Sequence, residues 1–343
     1  MLHRIPVDHA CLKSALDALL VNSRARPCGI YFVLAILLAT ILGRPTCAQS
    51  PSPTIDPAVL PASANRHVPR GAAQSQSVRF GRRPPQVGDR IEQAFSHEMQ
   101  LTTKWRQGQE FVNTTSVSAK NSQRRVVSTA LVHEGRTQAV LVRYLDAANE
   151  RSSSEQQPAD TPQTPLPVVG KTYRCQRDVH KLVITDELGN VPPPEELEIV
   201  NADMESVGRP SPLAEFLGGR TVAVGESISL PLDLADRLLG LQDKFGKLTR
   251  FDLALREVRA EDGAQCAVFQ ANIEAASNDS SQMRLFLNGP LVVQIDTCRA
   301  VQTALSGPIA MSESRGSYSA SFQLISTGKL SMTIASTYRD AAR

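Results

Sequence analysis

The chain has 343 residues, with 37 basic and 34 acidic side chains. Residues 1–48 carry five of the basic and two of the acidic side chains, which leaves 32 of each in the remainder. This balance excludes a bulk electrostatic attraction to nucleic acid, because such binding needs a basic face.

The first feature along the chain is an apolar run, IYFVLAILLATIL, at Ile30–Leu42. Arginines precede the run and small residues follow it, which is the order of a secretory signal. The run is shorter than the ~20 residues that cross a hydrocarbon core. We therefore predict a signal peptide with a long n-region at residues 1–48, cleaved between Ala48 and Gln49. The mature protein is then secreted or periplasmic.

An alternative stays open in which the leader is retained. The 30–42 helix would then anchor the protein in a membrane, since short helices can be accommodated by local thinning of the bilayer. Contact with a membrane is expected only in this case.

Residues 49–86 are rich in Pro, Ser and Ala and contain few apolar side chains. Such a composition cannot bury enough surface to fold, so we predict a disordered linker here. A single β-rich domain is expected over residues 87–340.

The domain begins with alternating side chains. Phe95, His97, Met99, Leu101 and Trp105 fall on one face, and the residues between them are polar. This period of two predicts a strand with one buried face. Further strands are predicted at Phe111–Ala119, Arg125–His133 and Thr137–Leu145, with a turn at Asn121-Ser122 between the first two.

A polar stretch at about residues 147–166 interrupts the strands, and its composition predicts a disordered insertion. Strands resume at Lys171–Arg177 and His180–Asp186. Short helices are predicted after Pro193-Pro194 and over Ser211–Leu217, where proline and acidic residues suit the first turn.

A third helix is predicted where Leu234 and Leu238 recur at helical spacing. The last third of the chain is again β. Asn288-Gly289 is ambiguous, because it fits either a tight hairpin or a bulge within one strand. In the bulge case, Cys266 and Cys298 lie at the same end of neighbouring strands and are candidates for a disulfide.

The sequence contains no CxxC pair and no His/Cys cluster with the spacing of metal ligands, so no metal or cofactor is predicted. His97 lies on the apolar face of its strand, either as a satisfied core residue or as a cavity residue. No acid or nucleophile signature accompanies it locally, so no catalytic residue is assigned.

Three segments carry a resemblance. Pro212–Gly219 reads PLAEFLGG, Val222–Pro231 reads VAVGESISLP and Leu287–Asp296 reads LNGPLVVQID. With the leader, the linker and the long first strand, they resemble secreted bacterial β-rich proteins with a lipoprotein-localisation-factor-like half-barrel. The resemblance covers about Val87–Tyr338. It implies a curved antiparallel sheet around short helices, with a cleft that holds acyl chains in members of that fold.

We therefore predict a mainly β protein, formed by a curved antiparallel meander or half-barrel with short helices on its concave face. The expected role is that of a non-catalytic envelope protein that binds a lipid, another apolar ligand or an envelope protein. A secreted hydrolase and a membrane-tethered interaction module remain alternatives. The candidate lining residues are Phe95, His97, Met99, Leu101, Trp105, Leu234 and Leu238.

Overall fold

Alternation of apolar and polar side chains runs through most of the chain, and strands form wherever it does. The computed structural model describes residues 76–107, 110–153, 164–179, 181–239, 246–277, 281–315 and 322–341. The strands are β1 (Ser77–Arg79), β2 (Arg90–Gln107), β3 (Glu110–His133), β4 (Arg136–Ser153), β5 (Thr164–Pro165), β6 (Thr172–Asp178), β7 (Lys181–Asp186), β8 (Thr221–Ala223), β9 (Ser227–Ser229), β10 (Lys247–Glu261), β11 (Ala264–Ser277), β12 (Ser281–Gln294), β13 (Ala300–Arg315) and β14 (Phe322–Arg339).

The strands form one large antiparallel sheet of twelve strands and a small two-stranded sheet. The large sheet has the order β7-β6-β4-β3-β2-β14-β13-β12-β11-β10-β9, with β5 paired to β4, and it does not close. The first and last long strands meet in its middle, where β2 pairs with β14 from Arg90–Arg339 to Gln107–Phe322. Every other neighbour among the long strands is a sequential hairpin partner, as the predicted meander requires.

Three short helices follow the predicted start signals. They are α1 (Pro194–Met204), α2 (Pro212–Leu217) and α3 (Leu232–Leu239). Proline stands in the first turn of α1 and α2, where a missing N–H costs nothing. Gly219, with φ of +82°, follows the end of α2 and stops it.

The helices pack on one face of the sheet in two groups. One core cluster joins α2 and α3 to β10 to β14 and β2, and the other joins α1 to β4, β6 and β7. Ala119 belongs to the first cluster and Val127 packs against the second. Both are odd-numbered positions of β3, which places the two clusters on the same face. The predicted curved sheet with helices on its concave face is thus confirmed.

Three glycines lie where neighbouring strands approach closely. A Cβ added at Gly289 would lie 1.9 Å from the Ala304 carbonyl oxygen, and one at Gly307 would lie 1.9 Å from that of Phe286. A Cβ at Gly328 would lie 1.8 Å from the Gln100 carbonyl oxygen. The three follow a diagonal across the concave face of β12, β13 and β14, where side-chain-free positions let a sheet bend.

The predicted end of the linker at residue 86 is wrong, because ordered structure begins earlier, with β1 at Ser77. β1 pairs with β8, and the Phe80 ring is buried and stacks on Phe269 at 5.9 Å between centroids. The Gly81 N–H donates to the Ile295 carbonyl at 2.8 Å. The apolar pair Val78 and Phe80 gives this otherwise polar stretch enough surface to bury. Residues 49–75 lie outside the described residues.

Of two predicted interruptions of the strands, one is wrong and the other is drawn too wide at both ends. The Asn121-Ser122 turn does not form, because β3 pairs continuously with β2 through both residues. The insertion predicted at 147–166 is strand over residues 147–153, and Thr164–Pro165 pairs back onto Ala148 and Asn149. Residues 154–163 lie outside the described residues.

Asn288-Gly289 does not form a hairpin. β12 pairs with β11 without a break from Cys266–Gln294 to Ser277–Met283, and the register to β13 is constant across Asn288. The bulge reading fails as well, since the irregularity there is the close approach of Gly289 to β13.

Replacing Gly307 by alanine tests the bend. The added Cβ forces the backbones of β12 and β13 apart, so we expect a loss of about 3 kcal/mol in the free energy of unfolding, measured by urea denaturation. The reverse exchange at an exposed site of the same strand, Ala310→Gly, should cost no more than about 1 kcal/mol. Equal small losses in both variants would show that the strands do not meet as closely as described.

Candidate functional site

The centre of the concave face lies between the two helical groups. Here β4, β3, β2 and β14 are neighbours, and Asn149, Asn121 and His97 stand directly opposite one another on the first three. Residues opposite each other share a face with their Cβ atoms about 5 Å apart. We call these three residues the polar row, and Met332 continues it on β14.

His97 is buried without a complete set of hydrogen bonds. It is 5% exposed, its ring lies 5.5 Å from that of Phe95, and its Nδ1 has no hydrogen-bond partner. Burial lowers the pKa of His97 to about 4. The ring is therefore neutral at pH 7, with one nitrogen that donates and one that accepts.

Asn149, at the other end of the polar row, also has an unpaired buried atom. Its side chain is half-buried, and its Oδ1 atom has no hydrogen-bond partner among the described residues. A buried polar atom left unpaired costs about 1–3 kcal/mol, so proteins rarely keep one without a use. The polar row holds two of them, two strand spacings apart on β2 and β4.

Apolar side chains flank the polar row. Phe95 and Ile334 stand opposite each other in the next row, and both are half-buried, as is Met332. On the other side Met99 and Leu330 are opposite partners and are buried. The row is therefore a narrow polar strip on an otherwise apolar surface.

One edge of this region is fixed by a network around α1. Asp203, near the end of α1, accepts hydrogen bonds from Gln123 at 2.7 Å and the Tyr144 hydroxyl at 2.9 Å, and pairs with Arg125 at 3.1 Å. Burial alone would lower the pKa of Arg125, but the Asp203 carboxylate raises it above its ordinary value. Arg125 also donates to Gln93 on β2 at 2.7 Å, which links the helix to the central strands.

The start of α1 carries a second anchor. The buried Glu196 carboxylate accepts hydrogen bonds from Lys171 and from the Tyr173 hydroxyl, each at 2.6 Å. Burial alone would raise the pKa of Glu196, but these two bonds lower it below its ordinary value. Both ends of α1 are thus held against the sheet by charge-assisted bonds.

The predicted lining residues fall into three places. Met99, Leu101, Leu234 and Leu238 belong to one core cluster shared by β2 and α3, so they fill the interior. Phe95 and His97 lie in the central region. Trp105 stands opposite Leu324 and is eight residues from His97, about 26 Å along the strand.

Sequence analysis missed Asn121 and Asn149. Asn121 was assigned to a turn and Asn149 to the insertion, because neither stretch has the apolar alternation that marks a strand. One signal was present: no Gly or Pro interrupts Glu110–His133. An uninterrupted strand of that length would have placed Asn121 beside His97.

The structure does not join the disulfide candidates Cys266 and Cys298. Both are buried free thiols, as is Cys175. Cys266 packs with Val268 and Val292 on the convex face, whereas Cys298 lies in the concave core. Burial raises the pKa of Cys298 to about 11, and its Sγ donates to the Gly81 carbonyl at 3.2 Å.

Among the described residues, no group of three or more His, Cys, Asp or Glu side chains could hold a metal ion. Within the same part of the chain, no helix is both long enough and apolar enough to span a bilayer. The predicted signal peptide and its cleavage site at Ala48 and Gln49 lie outside the described residues.

No family model and no curated protein matches the sequence. Among solved structures, lipovitellin, described in a study of its lipid–protein interactions, is similar over 75% of this chain and 26% of its own, with 8% identity and a TM-score of 0.33. The outer membrane protein OprG of Pseudomonas aeruginosa matches over 75% of this chain and 99% of its own, with 6% identity and a TM-score of 0.14.

The secretin GspD of Escherichia coli is similar over 74% of this chain and 51% of its own, with 8% identity and a TM-score of 0.16. This chain thus spans about a quarter of the lipovitellin chain. TM-scores this low support no conclusion about function.

The pH dependence of stability tests the burial of His97. Its folded pKa lies below the unfolded value of 6.5, so the unfolded chain binds more protons between pH 6.5 and 4. The contribution of the neutral His97 to the free energy of unfolding is fully present above pH 6.5 and is lost as the pH drops. Between pH 7 and 4 the wild type should lose about 3 kcal/mol more than His97→Leu.

Chemical denaturation at each pH gives this difference. His133→Leu removes an exposed histidine on the β3–β4 hairpin and should follow the wild type. Parallel pH profiles for the wild type and His97→Leu would contradict the buried, neutral state of His97.

Proposed function

We propose that this chain is an exported, non-catalytic envelope protein that binds a lipid-like amphiphile across the centre of its concave face. The observation that carries the proposal is the pair of unpaired buried atoms, His97 Nδ1 and Asn149 Oδ1, on one strip between apolar side chains. A ligand with an apolar body and a polar group would satisfy both the strip and its flanks.

The contrast with the polar groups around α1 supports this assignment. Elsewhere on the same face, buried polar groups have partners: Asp203 has three and Glu196 has two. In the polar row, the buried atoms His97 Nδ1 and Asn149 Oδ1 have no partner among the described residues. An ordinary filled core would place apolar atoms there, because an unpaired polar atom is costly.

The half-buried state of Phe95, Met332 and Ile334 points the same way. The side chains of the filled core beside them, such as Met99 and Leu285, are buried. When an acyl chain covers apolar surface that the protein leaves exposed, the complex is stabilised by about 25 cal/mol per Å².

A hydrolase would need a base that is oriented by a second group and bonded to a nucleophile. In the described part of the chain, His97 Nδ1 has no such partner. No specific observation therefore favours the enzyme alternative.

The export in this proposal is based on the apolar run at Ile30–Leu42 and the arginines that precede it. Cleavage after Ala48 would release the domain, and a retained leader would tether it.

Native mass spectrometry of protein from the exported fraction tests both the cleavage of the leader and the binding of a lipid. We expect a chain that begins at Gln49 and carries one additional lipid mass. Ile334→Glu places a carboxylate in the apolar flank and should reduce the lipid-bound fraction at least about tenfold, because the charge would be desolvated by the ligand.

The matched control is Thr333→Glu, which adds the same charge at the exposed, convex position next to it. This variant should keep the lipid. A bare wild-type chain beginning at Gln49 would overturn the binding proposal and leave export standing, whereas a retained leader would overturn the cleavage.

A further inference from the structure

Arg151 stands beside the polar row on the concave face. It lies directly opposite Ala119 of β3, which is 1% exposed and in turn stands opposite Met99. Arg151 follows Asn149 by two residues, which places the two on the same face about 7 Å apart along the strand. Arg151 therefore lies on the same face as Asn121 and Asn149, next to the small apolar side chain of Ala119.

The charge of Arg151 is not matched within the described protein. Arg151 is exposed, and no hydrogen bond or ion pair joins its guanidinium to any described residue. Arg125, on the same face, has the Asp203 carboxylate at 3.1 Å. Among the described residues, an acid thus pairs with Arg125 and none pairs with Arg151.

The positions opposite Arg151 and its neighbours explain the mismatch. The two adjacent rows of the concave face place Asn121 and Val117 of β3 next to it, and neither carries a charge. The nearby acids Glu150 and Glu98 occupy even positions, so they face the convex side, where both stand opposite Lys120. A partner for Arg151 on its own face must come from outside the described chain.

We propose that Arg151 binds the anionic head group of the amphiphile, a carboxylate or a phosphate. This inference rests on the proposed function, because the apolar part of the same ligand would lie against Phe95, Met332 and Ile334. A guanidinium recognises both oxyanions through paired N–H donors.

The dimensions of the sheet agree with one ligand that spans both parts. Arg151 is on β4 and Met332 is on β14, three strand spacings apart, or about 14 Å. An acyl chain of about twelve carbons covers that span, and its polar end would pass over the polar row. There Asn149 Oδ1 and His97 Nδ1 would bond to oxygens or hydroxyls next to the head group.

Titration of the full-length purified protein at about pH 8 with three probes of equal chain length tests the inference: dodecanoate, dodecanol and lauroyl lysophosphatidylglycerol. We expect both anionic probes to bind more tightly than the alcohol. Arg151→Gln should weaken the anionic probes at least about tenfold and leave dodecanol unchanged. Arg151→Lys keeps the positive charge but loses the paired N–H donors of the guanidinium. Its affinity for the anionic probes should lie between those of the wild type and Arg151→Gln.

The control is Arg143→Gln, which removes an exposed arginine from the convex side of the same strand and should change nothing. A carboxylate site prefers dodecanoate and a phosphate site prefers the lysophospholipid, and both results support the inference. Equal binding of all three probes, with no effect of Arg151→Gln, would overturn the anionic head group and leave the proposed function intact. Failure of every probe to bind would overturn both.

Discussion

The close approach of β12, β13 and β14 is the constraint on which the rest of the structure depends. At Gly289, Gly307 and Gly328 a neighbouring carbonyl oxygen occupies the space that a Cβ would need, so the sheet bends along this diagonal. The bend makes one face concave, and all three helices pack on that face. Because α1 covers one half and α2 and α3 the other, the central strands lie between two helical groups.

The chemistry of the concave face changes at this centre. Where helices meet the sheet, charges are paired: Asp203 with Arg125, and Glu196 with Lys171. Breaking the Asp203–Arg125 pair leaves a largely buried charge and costs about 3–5 kcal/mol, so this contact fixes the end of α1 in place. At the centre the pattern reverses, since His97, Asn149 and Arg151 have polar groups without partners in the described chain. Their shared face is why we assign them one ligand.

Sequence patterns predicted the fold better than the site, for physical reasons. Alternation at Phe95 to Leu101 marks a strand because burial of one face drives its formation, and proline marks α1 and α2 because it fits a first turn. The polar middle of β3 and the polar end of β4 leave no such mark. Their pairing is held by backbone bonds to neighbouring strands, so Asn121 and Asn149 were misassigned. Phe80 was missed because two apolar residues are too few to reveal a three-residue strand.

A crystal structure with ω-bromododecanoate would locate the ligand on the sheet, because bromine can be located by its anomalous scattering. We expect a bromine peak in contact with Met332 or Ile334 and a carboxylate at the Arg151 guanidinium, with ligand density across the polar row. Bromine outside the concave face, or ordered water alone at His97 Nδ1 and Asn149 Oδ1, would contradict this expectation.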